Sequence, residues 1–277
     1  MKGQKVMSDN LKTENIRIGI LNLCYKLGAN AAHLGGCLSL ADIIDVLYTE
    51  VLIYDASNLM SEKRDRVVMS KGHGSIAMYV GMYKAGIIHD LNCCGNLLGK
   101  NNIFYKQEIR NPQNGIEFSS GSLGQGLAYG IGIAWALKRR ENTDSKVYIF
   151  IGDGECNEGS VWESASIASQ LNLDNIVVIV DKNNLQIDGY TKDINSQEMM
   201  VCRWKSFGFE SIEINGHDKE DIRRGLQKKK EGRPLAIIAN TVKGKGIPFI
   251  ENDAKWHQNV VTDTIYQEAL ISLKENV

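Results

Sequence analysis

Between Gly152 and Asn184 the chain reads GDGECNEGSVWESASIASQLNLDNIVVIVDKNN, and two of its side chains can bind a hard cation together. Asp153 offers a carboxylate. Asn183, near the other end of the segment, offers a side-chain carbonyl, and the irregular stretch after it offers backbone carbonyls. A small set of oxygen ligands suits Mg²⁺, which sits about 2.0–2.1 Å from its ligands and completes its octahedron with phosphate and water. Gly152 and Gly154 allow backbone N–H groups to come close to an anion, and a helix expected directly afterwards would add roughly half a positive charge at its start. A carboxylate, an amide, a metal and a helix start fit a diphosphate. Either end alone reads as an ordinary turn or loop; the two together, between apolar strands, carry the assignment.

The elements around this segment have to bring its ends together. The runs KVYIFI (146–151) and NIVVIV (175–180) are short and continuously apolar, as strands are when helices cover both faces of a parallel sheet. With a helix near 158–171 as crossover, Asp153 and Asn183 fall just past the carboxyl ends of adjacent strands, where ligands of such sheets collect. Further strands are predicted at RVVMS (66–70), FESIEI (209–214) and LAIIA (235–239). Helices are predicted over 9–28, with Ser8 or Asp9 as cap, and over LADIIDVLYTEV behind a Ser39 cap. Others follow SKGHGS and lie over 121–140, 195–207 and 218–230. Residues 92–116 are polar and patternless and read as a long loop. The fold class is α/β: one domain over residues 1–277, a parallel sheet with helices on both faces and an N-terminal helical extension.

Charge is balanced, 32 Lys+Arg against 33 Asp+Glu, which leaves no electrostatic footprint for nucleic acid or an anionic membrane. Six cysteines, at 24, 37, 93, 94, 156 and 202, show no C-x-x-C spacing and read as small hydrophobes in a reducing compartment. The start, MKGQKVMSDNLK, has no apolar run of a signal peptide. Residues 118–137 carry no formal charge over a bilayer-spanning length, but five glycines and Gln125 make them a buried helix instead. A soluble, cytoplasmic protein without a membrane partner is the expectation.

GDG, followed after one crossover by NN, resembles the thiamine-diphosphate motif, and the chain from about residue 15 to 260 resembles the N-terminal, diphosphate-binding (PP) half of a transketolase. That resemblance implies thiamine diphosphate with Mg²⁺, or Ca²⁺ or Mn²⁺ in its place. It implies metal ligation by Asp153, Asn183 and the main-chain carbonyl of Leu185, and a diphosphate approached by Gly152, Gly154 and Glu155. In FSSGSLGQG it implies that Gly121 and Leu123 line the aminopyrimidine and that the following helix packs at a subunit interface. Glu158 and Glu163 match acidic residues that connect paired sites across that interface.

Three of the five histidines fall in stretches similar to family motifs: His33 in AAHLGGCLSLADI, His73 in MSKGHGS and His257 in KGKGIPFIENDAKWHQ. The resemblance gives all three catalytic roles, with His33 facing substrate, His73 reaching the diphosphate and His257 bridging diphosphate and substrate. Imidazoles suit such work because they donate to anions and titrate near neutrality. His89 and His217 match nothing and read as structural.

Two family features are missing. After DTIYQEALISL there is no second α/β domain, and the family's activating glutamate belongs to that C-terminal half. The resemblance therefore implies half an enzyme, completed by a separate C-terminal subunit in a heterotetramer. Together they would transfer a two-carbon ketol unit from a ketose to an aldose, with sugars or sugar phosphates as substrates. The histidine that usually precedes GIEFSSGSLGQG is also absent, since none occurs from 90 to 216; Asn111 or Arg110 would stand in its place, or the donor differs. The alternatives are acyloin formation on the same cofactor, or a non-catalytic cofactor-binding subunit. A nucleotide-binding oxidoreductase is disfavoured, because no G-x-G-x-x-G opens a helix after the first strand.

Overall fold

A computed structural model describes residues 15–91, 104–140, 144–196, 198–228 and 232–275. Helix α1 (Ile16–Lys26) is followed by α2 (Leu34–Ser39), α3 (Ala41–Val46), a π-helical turn (Leu47–Val51) and strand β1 (Arg66–Met69). Helices α4 (Ser75–Lys84) and α5 (Gln125–Arg139) precede β2 (Val147–Gly152), α6 (Gly159–Gln170) and β3 (Ile176–Lys182). Then come α7 (Thr191–Ile194), α8 (Met200–Ser206), β4 (Glu210–Asn215), α9 (Lys219–Leu226), β5 (Leu235–Asn240) and α10 (Asp263–Glu275).

The five strands form one sheet in the order β1-β2-β3-β5-β4, every pairing parallel. Alternation along each strand divides the core in two. Tyr148, Phe150, Val177, Ile179, Leu235 and Ile237 pack toward the cluster containing α1–α4, α9 and α10. Val147, Ile149, Ile151, Ile176, Val178 and Val180 pack toward α5, α6 and α8. The inner strands are therefore apolar on both faces, while edge strand β4 alternates, with Ile214 buried and Glu213 and Asn215 exposed. This is the α/β sheet covered on both faces that the apolar runs imply.

Local structure departs from the sequence-based expectation in several places. Helix α1 starts at Ile16, where the Asn15 side chain accepts from the Arg17 N–H at 3.0 Å; Ser8 and Asp9 lie outside the described residues. Ser39 ends α2 rather than capping α3, and its hydroxyl donates to Asp181 Oδ2 at 2.7 Å. The stretch 195–207 is not one helix, since α7 ends at Ile194 and α8 begins at Met200. Cys202 is exposed, whereas Cys24, Cys37 and Cys156 are buried; Cys93 and Cys94 lie outside the described residues. The uncharged stretch 118–137 mostly forms α5, and no helix among the described residues is long and apolar enough to cross a membrane.

Candidate active site

Strands β1, β2, β3 and β5 run in one direction, so their carboxyl ends open on one edge. There a cavity of about 260 Å³ is lined by Asp153, Asn183, Leu185, Lys71, Lys243 and all three motif histidines, among others. Gly152, Gly154, Glu155, Leu123 and Glu158 also line it, while Gly121 and Glu163 do not and are exposed.

At the oxygen end, parallel register places Gly152 beside Asp181, so the loops leaving β2 and β3 meet. Asp153 is buried; its Oδ2 accepts from the Asn184 N–H at 2.7 Å and its Oδ1 from the Gly154 N–H at 2.8 Å. Asn184 takes a left-handed φ of 62°, which turns the chain back at this point. Asn183 Oδ1 accepts from the Leu185 N–H at 3.1 Å, and the Leu185 carbonyl accepts from Lys243 Nζ at 3.2 Å. Burial and the neighbouring Asp181 carboxylate push the Asp153 carboxyl up to about 6.

The backbone donors of the Gly-Asp-Gly turn are used differently from expectation. The Gly152 N–H donates to Glu155 Oε2 at 3.0 Å and that of Gly154 to Asp153. A 3₁₀ turn (Gly154–Asn157) separates Asp153 from α6, so the helix start does not sit beside the carboxylate. Glu155 also accepts from the Ser70 hydroxyl and from the Gly124 N–H at 2.8 Å, tying the β1, β2 and α5 turns together.

Positive charge comes instead from two lysines. Lys71, past the end of β1, pairs with Asp181, which is fully buried and also accepts from Thr241, Ser39 and Asn183. Burial raises the Asp181 carboxyl, but the Lys71 ammonium and these donors outweigh it and hold it below the usual range. Lys243, past β5, lies 3.0 Å from His257 Nδ1, and burial together with Lys71 lowers its ammonium to about 8.

The histidine end is gathered by tertiary contacts. Ala32 and Asn259 exchange backbone hydrogen bonds of 2.8 and 3.0 Å, which brings His33 beside the turn carrying His257. The Cys37 thiol lies 2.9 Å from the His73 carbonyl, fixing the 3₁₀ turn Gly72–Gly74 against α2. The three rings pack edge-on, with centroids 5.0, 5.2 and 5.7 Å apart. Burial and the nearby lysines lower His33 to about 4, His73 to about 2 and His257 to about 3, so all three are neutral at pH 7.

Three imidazoles whose ligand atoms lie within 4.8 Å of one another are also a pattern for metal binding. Here two ammonium groups stand beside them, which repels a cation and favours an anion. The Gln186 side-chain nitrogen, also at the cavity, is buried without a partner among the described residues. An unmet donor, two ammonium groups and neutral imidazoles, gathered with a carboxylate and carbonyls around one cavity, fit a diphosphate with its cation.

Motif reading does not single out Lys71, Lys243 or Asp181, although signals exist. Lys71 stands two residues before His73, and Asp181 directly follows the apolar run 175–180, two residues before Asn183. Arg110 and Asn111 do not line the cavity. The Arg110 side chain donates to the Tyr129 hydroxyl at 2.8 Å, and Asn111 pairs its backbone with Ile116. Gln107, on the same segment, stands beside Gly72 and Gly121, and none of the three lines the cavity. His89 is exposed, and His217 is structural, held between Asp42 Oδ2 at 2.8 Å and the Val242 N–H at 2.8 Å.

Residues 9–269 match the model of the transketolase thiamine diphosphate binding domain. An apulose-4-phosphate transketolase subunit from Phocaeicola vulgatus is 38% identical over 274 residues, covering 96% of this chain and 94% of that protein. A 6-deoxy-6-sulfo-D-fructose transketolase subunit from a Clostridium species is 34% identical over 257 residues, covering 90% of each. Among solved structures, the transketolase of Campylobacter jejuni superposes with a TM-score of 0.86 at 32% identity. The superposition covers 97% of this chain, which spans 43% of that longer protein.

Proposed function

This chain belongs to the transketolase family through its thiamine diphosphate binding domain, and from that premise we propose that it is the diphosphate- and Mg²⁺-binding half of a split enzyme. A separate C-terminal subunit completes it, and the pair transfers a two-carbon ketol unit from a ketose to an aldose, as a transferase of aldehyde or ketone residues. One observation carries the reading: Asp153, Asn183 and Leu185 line one cavity together with Lys71, Lys243, His33, His73 and His257.

Asp153, the Asn183 amide and the Leu185 carbonyl would hold the metal; Lys71, Lys243 and His73 would hold the diphosphate, in a cradle that Gly154 leaves open. Thiamine diphosphate, when bound, supplies the carbon nucleophile on which a ketol unit is carried. The chain's own residues bind, orient and move protons. Neutral His33 and His257 can each accept a proton from a sugar hydroxyl and return it, because burial and the lysines keep them unprotonated at pH 7. Lys243, 3.0 Å from His257 Nδ1, orients that ring.

A partner has a surface to meet. Ala128, Gly132, Trp135 and Ala136 face outward along α5, and Ile167 and Leu171 are exposed at α6 and its end, on the helix that carries Glu163. Small and apolar residues in such a band suit a closely packed subunit contact. The two subunit relatives support a two-chain enzyme over acyloin formation or a non-catalytic subunit.

The test is calorimetric titration of thiamine diphosphate in Mg²⁺ into this chain co-expressed with the product of its adjacent gene, with ketol transfer assayed on the same sample. Asp153→Ala should weaken cofactor binding by about 100-fold or more, and a chelator should abolish it. Full transfer by the isolated chain, or no cofactor binding by the assembled pair, would refute the reading.

A further inference from the structure

The loop that leaves β3 is fixed in its backbone and untethered at one side chain. Asn184 takes its left-handed φ of 62°, the Thr191 N–H donates to the Asn184 carbonyl at 3.0 Å, and Leu185 bridges to Tyr190. Within that closure the Gln186 N–H donates to the Gly189 carbonyl at 2.8 Å. Gln186 lines the cavity. Among the described residues no hydrogen bond holds either end of its side-chain amide, and Nε2 is buried.

The amide lies against the Gly-Asp-Gly turn. A Cβ at Gly154 would stand 2.9 Å from Gln186 Cδ, 3.0 Å from its Cγ and 3.1 Å from its Oε1. The backbone donors that would meet an anion at this turn are already taken, that of Gly152 by Glu155 and that of Gly154 by Asp153. Gln186 therefore brings to the turn a donor that no other described residue uses. A buried amide nitrogen without a partner is costly, and an acceptor in the cavity would compensate it. The terminal torsion of a glutamine is broad, so the amide can turn its N–H groups toward a ligand while the backbone stays in place. Beside Lys71 and Lys243, the acceptor that gains most is an anion.

We propose that Gln186 is a binding residue of this site, donating a side-chain N–H to the cofactor's diphosphate beside Gly154. It does there the work that the inward-turned backbone donors of Gly152 and Gly154 do not. This rests on the cavity being the thiamine diphosphate site.

The complex of this chain with its C-terminal subunit, freed of cofactor, is titrated in Mg²⁺ with thiamine diphosphate and with inorganic diphosphate. Gln186→Met, close in shape but without a donor, should weaken both by about tenfold or more. Gln186→Glu should weaken both further, because it sets a carboxylate against the same anion. The denaturation midpoint of the cofactor-free Gln186→Met complex should hold or rise, since the variant removes an unmet donor. Unchanged binding in Gln186→Met overturns the proposal. So does loss of the cofactor without matching loss of inorganic diphosphate, which would place the amide elsewhere on the cofactor. Tighter binding by Gln186→Glu would mean that the amide oxygen serves the cation, and a midpoint that falls along with affinity would make Gln186 part of the framework; either overturns it. If the wild-type complex binds neither diphosphate, the cofactor reading falls as well, whereas wild type and variants that bind equally well remove Gln186 alone.

Discussion

At the Asp153 end of the cavity, adjacent strands β2 and β3 deliver oxygen-bearing groups joined by a single helical crossover; at the other end, three turns bring together histidines as distant along the chain as His33 and His257. The first arrangement follows from register. Once β2 and β3 pair with Gly152 opposite Asp181, Asp153 reaches the Asn184 N–H and the loop has little freedom left. The second depends on contacts between distant segments, such as the Ala32–Asn259 bridge and the Cys37 thiol on the His73 carbonyl. Asp181 joins the two ends, because it holds both Lys71 and Asn183. A site made from one crossover is fixed early by the sheet, whereas a site made from three turns is only as firm as the packing of α2 and the two 3₁₀ turns.

The largest effect should come from breaking the shared anchor. Asp181→Ala leaves Lys71 buried without its carboxylate, and removal of one partner of a buried pair costs about 3–5 kcal/mol. Chemical denaturation should show that loss, and both ends should lose cofactor affinity together; loss confined to one end would mean they are independent. A smaller effect tests the histidine side alone. Glu108, which pins the 104–108 segment to Ser75, has its carboxyl pushed by burial up to about 7 from an ordinary 4.5. Because the folded value is the higher one, its contribution is fully present below about 4.5 and lost as pH rises through about 7. That amounts to roughly 3 kcal/mol. Glu108→Gln should therefore flatten the stability difference between pH 5 and pH 8, measured by denaturant midpoints; an unchanged slope would show that the group titrates normally.

The smallest effect sharpens the oxygen end. A Cβ at Gly154 would meet only the Gln186 side chain, at 2.9 Å, and that side chain can move. Gly154→Ala should then alter stability by less than about 1 kcal/mol yet weaken thiamine diphosphate by about tenfold, because the methyl group occupies the cradle. A large stability loss with unchanged affinity would place Gly154 in the framework and not at the ligand.

Much of this is legible in the residues. The apolar runs 146–151 and 175–180 form β2 and β3, and the pairing of GDG with NN places Asp153 and Asn183 in one cavity. His33, His73 and His257 can be picked out by motif, but nothing in their spacing says that their rings touch. Lys71 and Lys243 escape notice because a lysine beside glycines normally reads as solvated surface. Ser39 misleads for a related reason. Its type favours a helix cap, yet full burial next to Asp181 offers its hydroxyl a charged acceptor instead.

By itself the sequence determined the class of fold, the strands that border the cavity and the oxygen-bearing residues Asp153 and Asn183 at their ends, because apolar periodicity and short spacings act locally along the chain. Only the tertiary structure decided which charges line the cavity. The Gly-Asp-Gly donors turned inward to Asp153 and Glu155, and Lys71 and Lys243 supplied the positive field in their place. Burial and through-space charge set those roles, and both depend on neighbours that the order of residues does not bring together until the sheet has formed.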